Sequence, residues 1–147
     1  MKEKQISIVT VKLVREASVP YAVGQINKPD QAAELFEDFV GNADREHTVA
    51  LFLSTKNYPT AISTIGVGTL STTALHPREV FKAAILANSA AIILAHNHPS
   101  GDPTPSKEDI AVTKRLAAAG EIIGIQVLDH VIVGDGRYVS LKAMGYM

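Results

Sequence analysis

Hydrophobic and polar residues follow two different periods along this chain, and the period changes several times. Alternation with period two predicts strands, whereas apolar residues at i, i+3 and i+4 predict helices with one buried face. The predicted strands cover residues 6–14, 48–53, 60–67, 90–95, 122–128, 131–133 and 137–141. Three helices are predicted. The first follows an N-cap at Asp30 and ends at Gly41, the second begins at Pro77, and the third runs from Ser106 to about Ala119 and ends at Gly120. The pattern predicts a mixed β-sheet flanked by helices, in the α/β (α+β) class.

The apolar residues of each predicted helix define the face that should be buried. In the first helix they are Ala32, Leu35, Phe36, Phe39 and Val40, with Glu34, Glu37 and Asp38 on the solvated side. In the second helix they are Val80, Phe81, Ala84 and Ile85. The run AAIILA at 90–95 is apolar without interruption, which is typical of a strand buried on both faces. Residues 134–136, Gly-Asp-Gly, predict a hairpin turn before the last strand.

The length of 147 residues is that of one compact domain, with an N-terminal strand and connection at 1–28 and a core at 29–147. A content of 46% hydrophobic and 20% charged residues excludes the disordered and membrane classes. Residues 6–14 alternate and contain Lys12, so they predict a strand and not a signal peptide. The expected compartment is therefore the cytoplasm, with no membrane association.

Charge and cysteine content narrow the chemistry further. The chain has 14 Lys and Arg against 15 Asp and Glu, a net charge of -1, so it lacks the basic excess usual in nucleic-acid-binding proteins. Its cysteine count of 0 excludes disulfides, thiol nucleophiles and cysteine-ligated metal sites. Any bound metal would need His, Asp or Glu ligands.

Candidate metal ligands are concentrated in one segment, AHNHPSGDPTPSKED at 95–109. His96 and His98 follow a buried strand, and residues i and i+2 of an extended chain point to the same face, about 6.6 Å apart. Ser106 and Asp109 begin the next helix, where they also match a capping box. Taken singly, these residues fit a surface histidine pair and an ordinary helix cap. Together they predict a metal site between a strand end and a helix start.

Several known metal patterns can be tested against these residues. The metallo-β-lactamase pattern His-x-His-x-Asp-His fails because Ser100 occupies the Asp position. The helical pattern His-Glu-x-x-His is missing from the sequence, and zinc deaminase sites require cysteine. A non-haem iron site with two histidines and one carboxylate stays open on ligand type.

One signature fits in both spacing and residue type: His96-x-His98, seven residues, Ser106, two residues, Asp109. It resembles the signature of the JAMM (JAB/MPN) metalloprotease superfamily. The segments HPREVFKAA at 76–84, AHNHPSGDPTPS at 95–106 and LDHVIVGDG at 128–136 resemble the bacterial RadC-like branch. The resemblance covers about residues 30–141 and implies the JAB/MPN, cytidine-deaminase-like architecture. Members of that branch often carry an N-terminal helix-hairpin-helix region, which we do not expect within these 147 residues.

The resemblance implies a zinc-dependent hydrolase that cleaves a peptide or isopeptide-type amide bond through a metal-activated water. His96, His98 and Asp109 would hold one Zn²⁺, and Ser106 would stabilise the oxyanion. The superfamily also uses an upstream glutamate as general acid and base, and Glu46 matches its place. The expected partner is a protein or peptide substrate. The alternatives are a non-catalytic binding module or a nuclease acting in DNA repair or mobile-element biology.

The remaining acidic and histidine residues of this region have structural interpretations. Asp102 could compete as a ligand, but its Gly-Asp-Pro context favours a turn. Asp129 and His130 lie between two predicted strands, where we expect a structural or ligand-supporting role. His76 precedes Pro77 and should lie near a helix cap, and His47 is interpreted as a strand residue.

Overall fold

Three helices and five strands make up the fold in a computed structural model, which describes residues 1–22, 24–40, 42–68 and 75–147. Their order is α1 (Pro29–Val40), β1 (His47–Leu53), β2 (Pro59–Val67), α2 (Pro77–Leu86), β3 (Ala91–Asn97), α3 (Lys107–Ile123), β4 (Gln126–Gly134) and β5 (Arg137–Ser140). The mixed sheet with packed helices confirms the predicted class. None of the helices in these ranges is long and apolar enough to cross a membrane.

The five strands form one sheet in the order β2-β1-β3-β4-β5. The β3–β4 pair is parallel and the other three pairs are antiparallel. Parallel neighbours need a crossover connection, and here α3 supplies it. The chain therefore leaves the carboxyl end of β3 and enters the amino end of α3 through one short loop.

The sheet separates two hydrophobic cores. On one face α1 packs against alternate residues of the central strands, including Val49, Leu51, Ile93 and Val131. On the other face α2 and α3 pack against the intervening residues, including Ala50, Phe52, Ile92 and Leu94. Because both faces are covered, every residue of β3 is buried, which confirms the interpretation of the apolar run at 90–95.

The predicted strand at 6–14 is wrong. Residues 1–22 contain no helix or strand, and Ile6 and Ile8 are almost fully exposed. Alternation describes only the side chains, whereas a strand also needs a neighbour for its backbone hydrogen bonds. In the described part of the chain, the five-stranded sheet does not include this segment.

The predicted end of the third helix at Gly120 is also wrong, because α3 continues to Ile123 and ends at Gly124. Gly124 adopts the left-handed conformation (φ 86°) that favours glycine at a helix C-terminus. Gly120 is a glycine for a different reason: a Cβ there would lie 2.5 Å from the carbonyl oxygen of Ile125. The helix packs so closely on the segment that follows it that only a residue without a side chain fits at position 120.

The sequence predicts two strands at 122–128 and 131–133, but the structure has one continuous strand, β4, from Gln126 to Gly134, and residues 122 and 123 belong to α3. Asp129 and His130 lie inside it and are buried. Their polarity suggested a break, but their hydrogen bonds are made inside the fold. The predicted hairpin to β5 is confirmed, with Asp135 and Gly136 both at positive φ as a two-residue turn of this type requires.

Two residues assigned to buried helix faces are more exposed than predicted. Phe39 is 36% exposed and Ile85 is 55% exposed, since each lies at the margin of its apolar stripe near a helix end. The helix α1 begins at Pro29, which places Asp30 in its first turn and not at the N-cap. Gly41, the predicted end of that helix, lies outside the described residues.

Candidate metal centre

The carboxyl end of β3 brings two histidines together. His96 is the sixth residue of the strand and is fully buried. The amide of His98 donates to the carbonyl of Val133 (2.8 Å), which continues the pairing with β4 past the end of β3. The extended backbone therefore directs both rings to one face, with 3.0 Å between their Nε2 atoms.

Asp109 reaches the same place from the first turn of α3. Ser106 is the N-cap, and its Oγ accepts a hydrogen bond from the Asp109 amide (3.0 Å). In return, Asp109 Oδ2 accepts from the Ser106 amide (2.8 Å), so the predicted capping box is present. The same carboxylate lies 3.2 Å from the Nε2 atoms of His96 and of His98. Capping thus holds the carboxylate in place and leaves it facing both histidines.

The three side chains offer their electron pairs to one point. One ligand atom from each of His96, His98 and Asp109 lies within 4.8 Å of the others. His98 Nδ1 donates to the carbonyl oxygen of Asp102 (2.7 Å), so in the neutral ring the lone pair is on Nε2. Lone pairs and a carboxylate at this separation repel one another unless a cation lies among them. Two imidazoles and one carboxylate are a donor set suited to Zn²⁺ and to several other divalent ions.

The pKa values of the cluster show the same preference for positive charge. Burial acts to raise the pKa of Asp109, but its contacts with the His96 and His98 rings outweigh it and hold that pKa well below its ordinary value. The pKa of His98 is raised, mainly by its hydrogen bond with Asp109. The carboxylate therefore stays ionised, and a proton is retained where a metal ion would bind.

The two predicted catalytic residues lie at the margin of this cluster. Ser106 is exposed, and because its Oγ accepts from a backbone amide, its own hydroxyl hydrogen remains to be donated. Glu46 is half-buried directly before β1, and its charge contributes to raising the pKa of His98. The structure thus places a hydroxyl donor and a carboxylate near the three candidate ligands.

Asn97 is a residue that the sequence interpretation missed. It lies between the two histidines and is buried, with 2% of its surface exposed. Its Oδ1 accepts from the His47 amide (2.7 Å), and its Nδ2 donates to the Arg45 carbonyl (3.0 Å). These are the peptide groups on either side of Glu46. A polar side chain at the end of a strand that is buried on both faces was the available signal, since such a side chain must find partners.

His130 and Thr113 also belong to this region. The His130 ring lies 2.7 Å from His96 Nδ1 and 2.6 Å from the Thr113 hydroxyl, and both residues are fully buried. The ligand-supporting position expected for His130 therefore agrees with its contacts. Its neighbour Asp129 faces the other side of the sheet, where Oδ2 accepts from the Ser140 hydroxyl (2.6 Å).

The other histidine and acidic residues have local structural contacts. Asp102 Oδ1 accepts from the Thr104 amide and hydroxyl, as expected of a turn residue. His76 is the N-cap of α2 and accepts from the Arg78 amide. His47 is the first residue of β1, and its Nδ1 contacts the Arg45 carbonyl. None of these side chains belongs to the cluster of candidate ligands.

Comparison with known proteins confirms the resemblance to the RadC-like branch that the sequence indicated. Residues 26–146 match the family model described as the RadC-like JAB domain. A UPF0758 protein of Desulfitobacterium hafniense is 55% identical over 131 residues, which cover 89% of this chain and 58% of that protein. One from Methanococcoides burtonii is 59% identical over 103 residues, covering 70% of this chain and 45% of its own length. The chain thus spans about half the length of these relatives, and it belongs to the family of RadC-like JAB domains.

Proposed function

We propose that this domain is a zinc-dependent hydrolase that cleaves a peptide or isopeptide-type amide bond. The observation that carries the proposal is the convergence of His96, His98 and Asp109, with one ligand atom of each within 4.8 Å of the others. Catalytic zinc sites use three protein ligands and keep a fourth position for water or substrate. A cluster with three ligands, of which His98 is partly exposed and near which Ser106 is exposed, fits that description.

The bound metal, Glu46 and Ser106 would each have a separate role in hydrolysis. A bound Zn²⁺ would polarise the substrate carbonyl and lower the pKa of a water molecule at the site. The Glu46 carboxylate would accept a proton from the attacking water and return it to the leaving nitrogen. The Ser106 hydroxyl would donate to the amide oxygen as negative charge develops on it. The capping bond from the Asp109 amide to Ser106 Oγ fixes the hydroxyl for that donation.

The arrangement favours amide hydrolysis over phosphodiester cleavage. Enzymes that cleave phosphodiesters often use two metal ions about 3.5–4 Å apart. Within the described ranges, His96, His98 and Asp109 form one group with the ligand number for a single ion, and a second group does not occur. The net charge of -1 also offers no excess of positive charge to a nucleic acid.

Zinc binding is the first test. We expect calorimetry on metal-free protein to show one Zn²⁺ per chain, and thermal unfolding to shift upward. With free zinc at 100 times the Kd, the stabilisation is about 2.7 kcal/mol, or roughly 5–10 °C for a domain of this size. Asp109→Asn should lose this response, although the amide oxygen can still accept from Ser106. Asp102→Asn, which makes the same charge change in the neighbouring turn, should keep it. Failure of the wild-type protein to bind zinc would refute the proposal.

Hydrolysis is the second test, and it distinguishes residues that bind zinc from residues that act in cleavage. Zinc-loaded protein should cleave members of a peptide mixture, with the new termini identified by mass spectrometry. Glu46→Gln should bind zinc as the wild type does and lose cleavage, whereas Glu34→Gln on the exposed side of α1 should keep both. Undiminished cleavage by Glu46→Gln would contradict the role of Glu46. Cleavage of DNA instead of peptides would overturn the substrate class.

A further inference from the structure

His130 contacts the candidate ligand His96 from the neighbouring strand. On the parallel strands β3 and β4, His130 is paired in register with Leu94, which lies two residues before His96. The rings of His96 and His130 therefore lie on the same face of the sheet as Leu94, the face that α3 covers. His130 Nε2 is 2.7 Å from His96 Nδ1, the nitrogen that faces away from Asp109. The position of the hydrogen in this contact decides which nitrogen of His96 carries the lone pair.

Thr113 determines the direction of the hydrogen bonds. Its hydroxyl lies 2.7 Å from the carbonyl oxygen of Asp109, four residues earlier in α3. A carbonyl can only accept, so the single hydroxyl hydrogen of Thr113 is donated there. The same oxygen is 2.6 Å from His130 Nδ1, and this contact must then use the hydrogen of His130 Nδ1.

The second nitrogen of His130 is therefore an acceptor in the neutral ring. His130 has no exposed surface, and its two ring nitrogens contact the Thr113 hydroxyl and the His96 ring. A buried imidazole without a carboxylate partner is far more stable uncharged. With hydrogen on Nδ1, its Nε2 accepts from His96 Nδ1.

We propose that His130 and Thr113 are positioning residues that fix His96 in the tautomer with hydrogen on Nδ1, so that its Nε2 lone pair points to the metal centre. The importance of this tautomer rests on the proposed function, but its existence does not. His98 reaches the same state more simply, because its Nδ1 donates to the backbone carbonyl of Asp102 at 2.7 Å. His96 lies within the strand, and its Nδ1 donates to the ring of His130 instead of to a backbone carbonyl. Partners of this kind orient metal-binding histidines and raise their basicity.

Nitrogen-detected histidine NMR tests the tautomer directly in ¹⁵N-labelled metal-free protein. We expect hydrogens on Nδ1 of His96 and of His130, and an unprotonated Nε2 on His130. An unprotonated Nδ1 on His96 would overturn the inference, whatever the protein does with zinc. Conversely, a wild-type protein that shows this tautomer and binds no zinc would refute the proposed function and leave the inference standing.

Variants connect the tautomer to metal affinity. Thr113→Val keeps the side-chain shape and removes the acceptor for His130 Nδ1, so it should weaken zinc binding about tenfold and broaden or shift the His96 nitrogen signals. Thr113→Ser keeps the hydroxyl and should restore both. His130→Leu should weaken binding about 10- to 100-fold, and His130→Gln, whose amide oxygen can accept from His96, should recover part of it. An unchanged zinc Kd in both Thr113→Val and His130→Leu would contradict the positioning role.

Discussion

Replacement of Asn97 by alanine should loosen the segment that carries the proposed catalytic carboxylate of Glu46 and leave zinc binding almost unchanged. The Asn97 side chain is buried, and because successive side chains of a strand point to opposite faces, it points away from the face of its two histidine neighbours. It bonds instead to the His47 amide and the Arg45 carbonyl, on either side of Glu46. Alanine cannot make either bond. The chain around Glu46 should therefore lose its attachment to β3, while the histidines keep their places.

The magnitude follows from the two hydrogen bonds, at 2.7 and 3.0 Å. Each contributes about 0.5–1.5 kcal/mol net, and an unpaired backbone group left partly buried adds to the loss. We expect Asn97→Ala to be about 2 kcal/mol less stable, a fall in Tm of roughly 4–8 °C. Locally, the loss of about 1.4 kcal/mol at one amide corresponds to tenfold faster hydrogen exchange.

The assay is amide hydrogen exchange at His47, measured with the zinc Kd of the same protein. Ser140→Ala is a matched control, since it also removes two hydrogen bonds, to Asp129 Oδ2 (2.6 Å) and from the Ala143 amide (3.1 Å), but on β5, two strands away from Asn97. Both variants should lose similar stability, but only Asn97→Ala should expose the His47 amide. Zinc affinity should change less than threefold, or about 0.7 kcal/mol. Equal His47 exchange in the two variants, or loss of zinc binding by Asn97→Ala, would refute the reasoning.

Three further predictions concern pH, packing and the N-terminal segment. The pKa of His98 is raised above its ordinary 6.5, so the metal-free fold holds this proton more tightly than the unfolded chain does. The free energy of unfolding, measured by urea titration, should therefore fall as the pH rises above 6.5 through the raised pKa. Saturating zinc should abolish this fall. Gly120→Ala would place Cβ 2.5 Å from a backbone carbonyl and should cost about 1–3 kcal/mol in urea unfolding, whereas Gly66→Ala meets nothing within 4 Å and should not. Residues 6–14 lie outside the sheet, so their amides should exchange rapidly in the monomer, and protection that persists on dilution would contradict the structure.

The candidate ligands could be predicted because their geometry is local. His96 and His98 are two residues apart on a strand, and Asp109 is three residues from its N-cap, so the backbone conformation alone sets their directions. Asn97, by contrast, finds its partners about 50 residues away, and His130 lies 34 residues from His96. Those distances are bridged only by the register of β1, β3 and β4. The hydrophobic periodicity of each segment predicts the strands but does not show which residues of two distant strands are paired.

Polar residues inside strands caused the main error in β4. The pair Asp129 and His130 interrupted the apolar pattern, and the sequence therefore suggested two strands separated by a break. In the fold each side chain is satisfied on its own face, Asp129 by Ser140 and His130 by Thr113. Burial of a polar group is tolerated when it is hydrogen-bonded. A polar pair in an apolar strand thus indicates partners as readily as it indicates a turn.

The contacts around the metal centre close into a ring, which couples its ligands by two routes. His96 contacts Asp109 directly through Nε2, at 3.2 Å, and indirectly through Nδ1, by way of His130 and Thr113 to the Asp109 carbonyl. The ring joins β3, β4 and α3, and all four of its residues are buried. A buried network in which every member is paired is rigid, while one with a missing member leaves costly unpaired groups. The spacing of the candidate ligands is therefore maintained by the fold itself, which is the condition for a site that is formed before its ion binds.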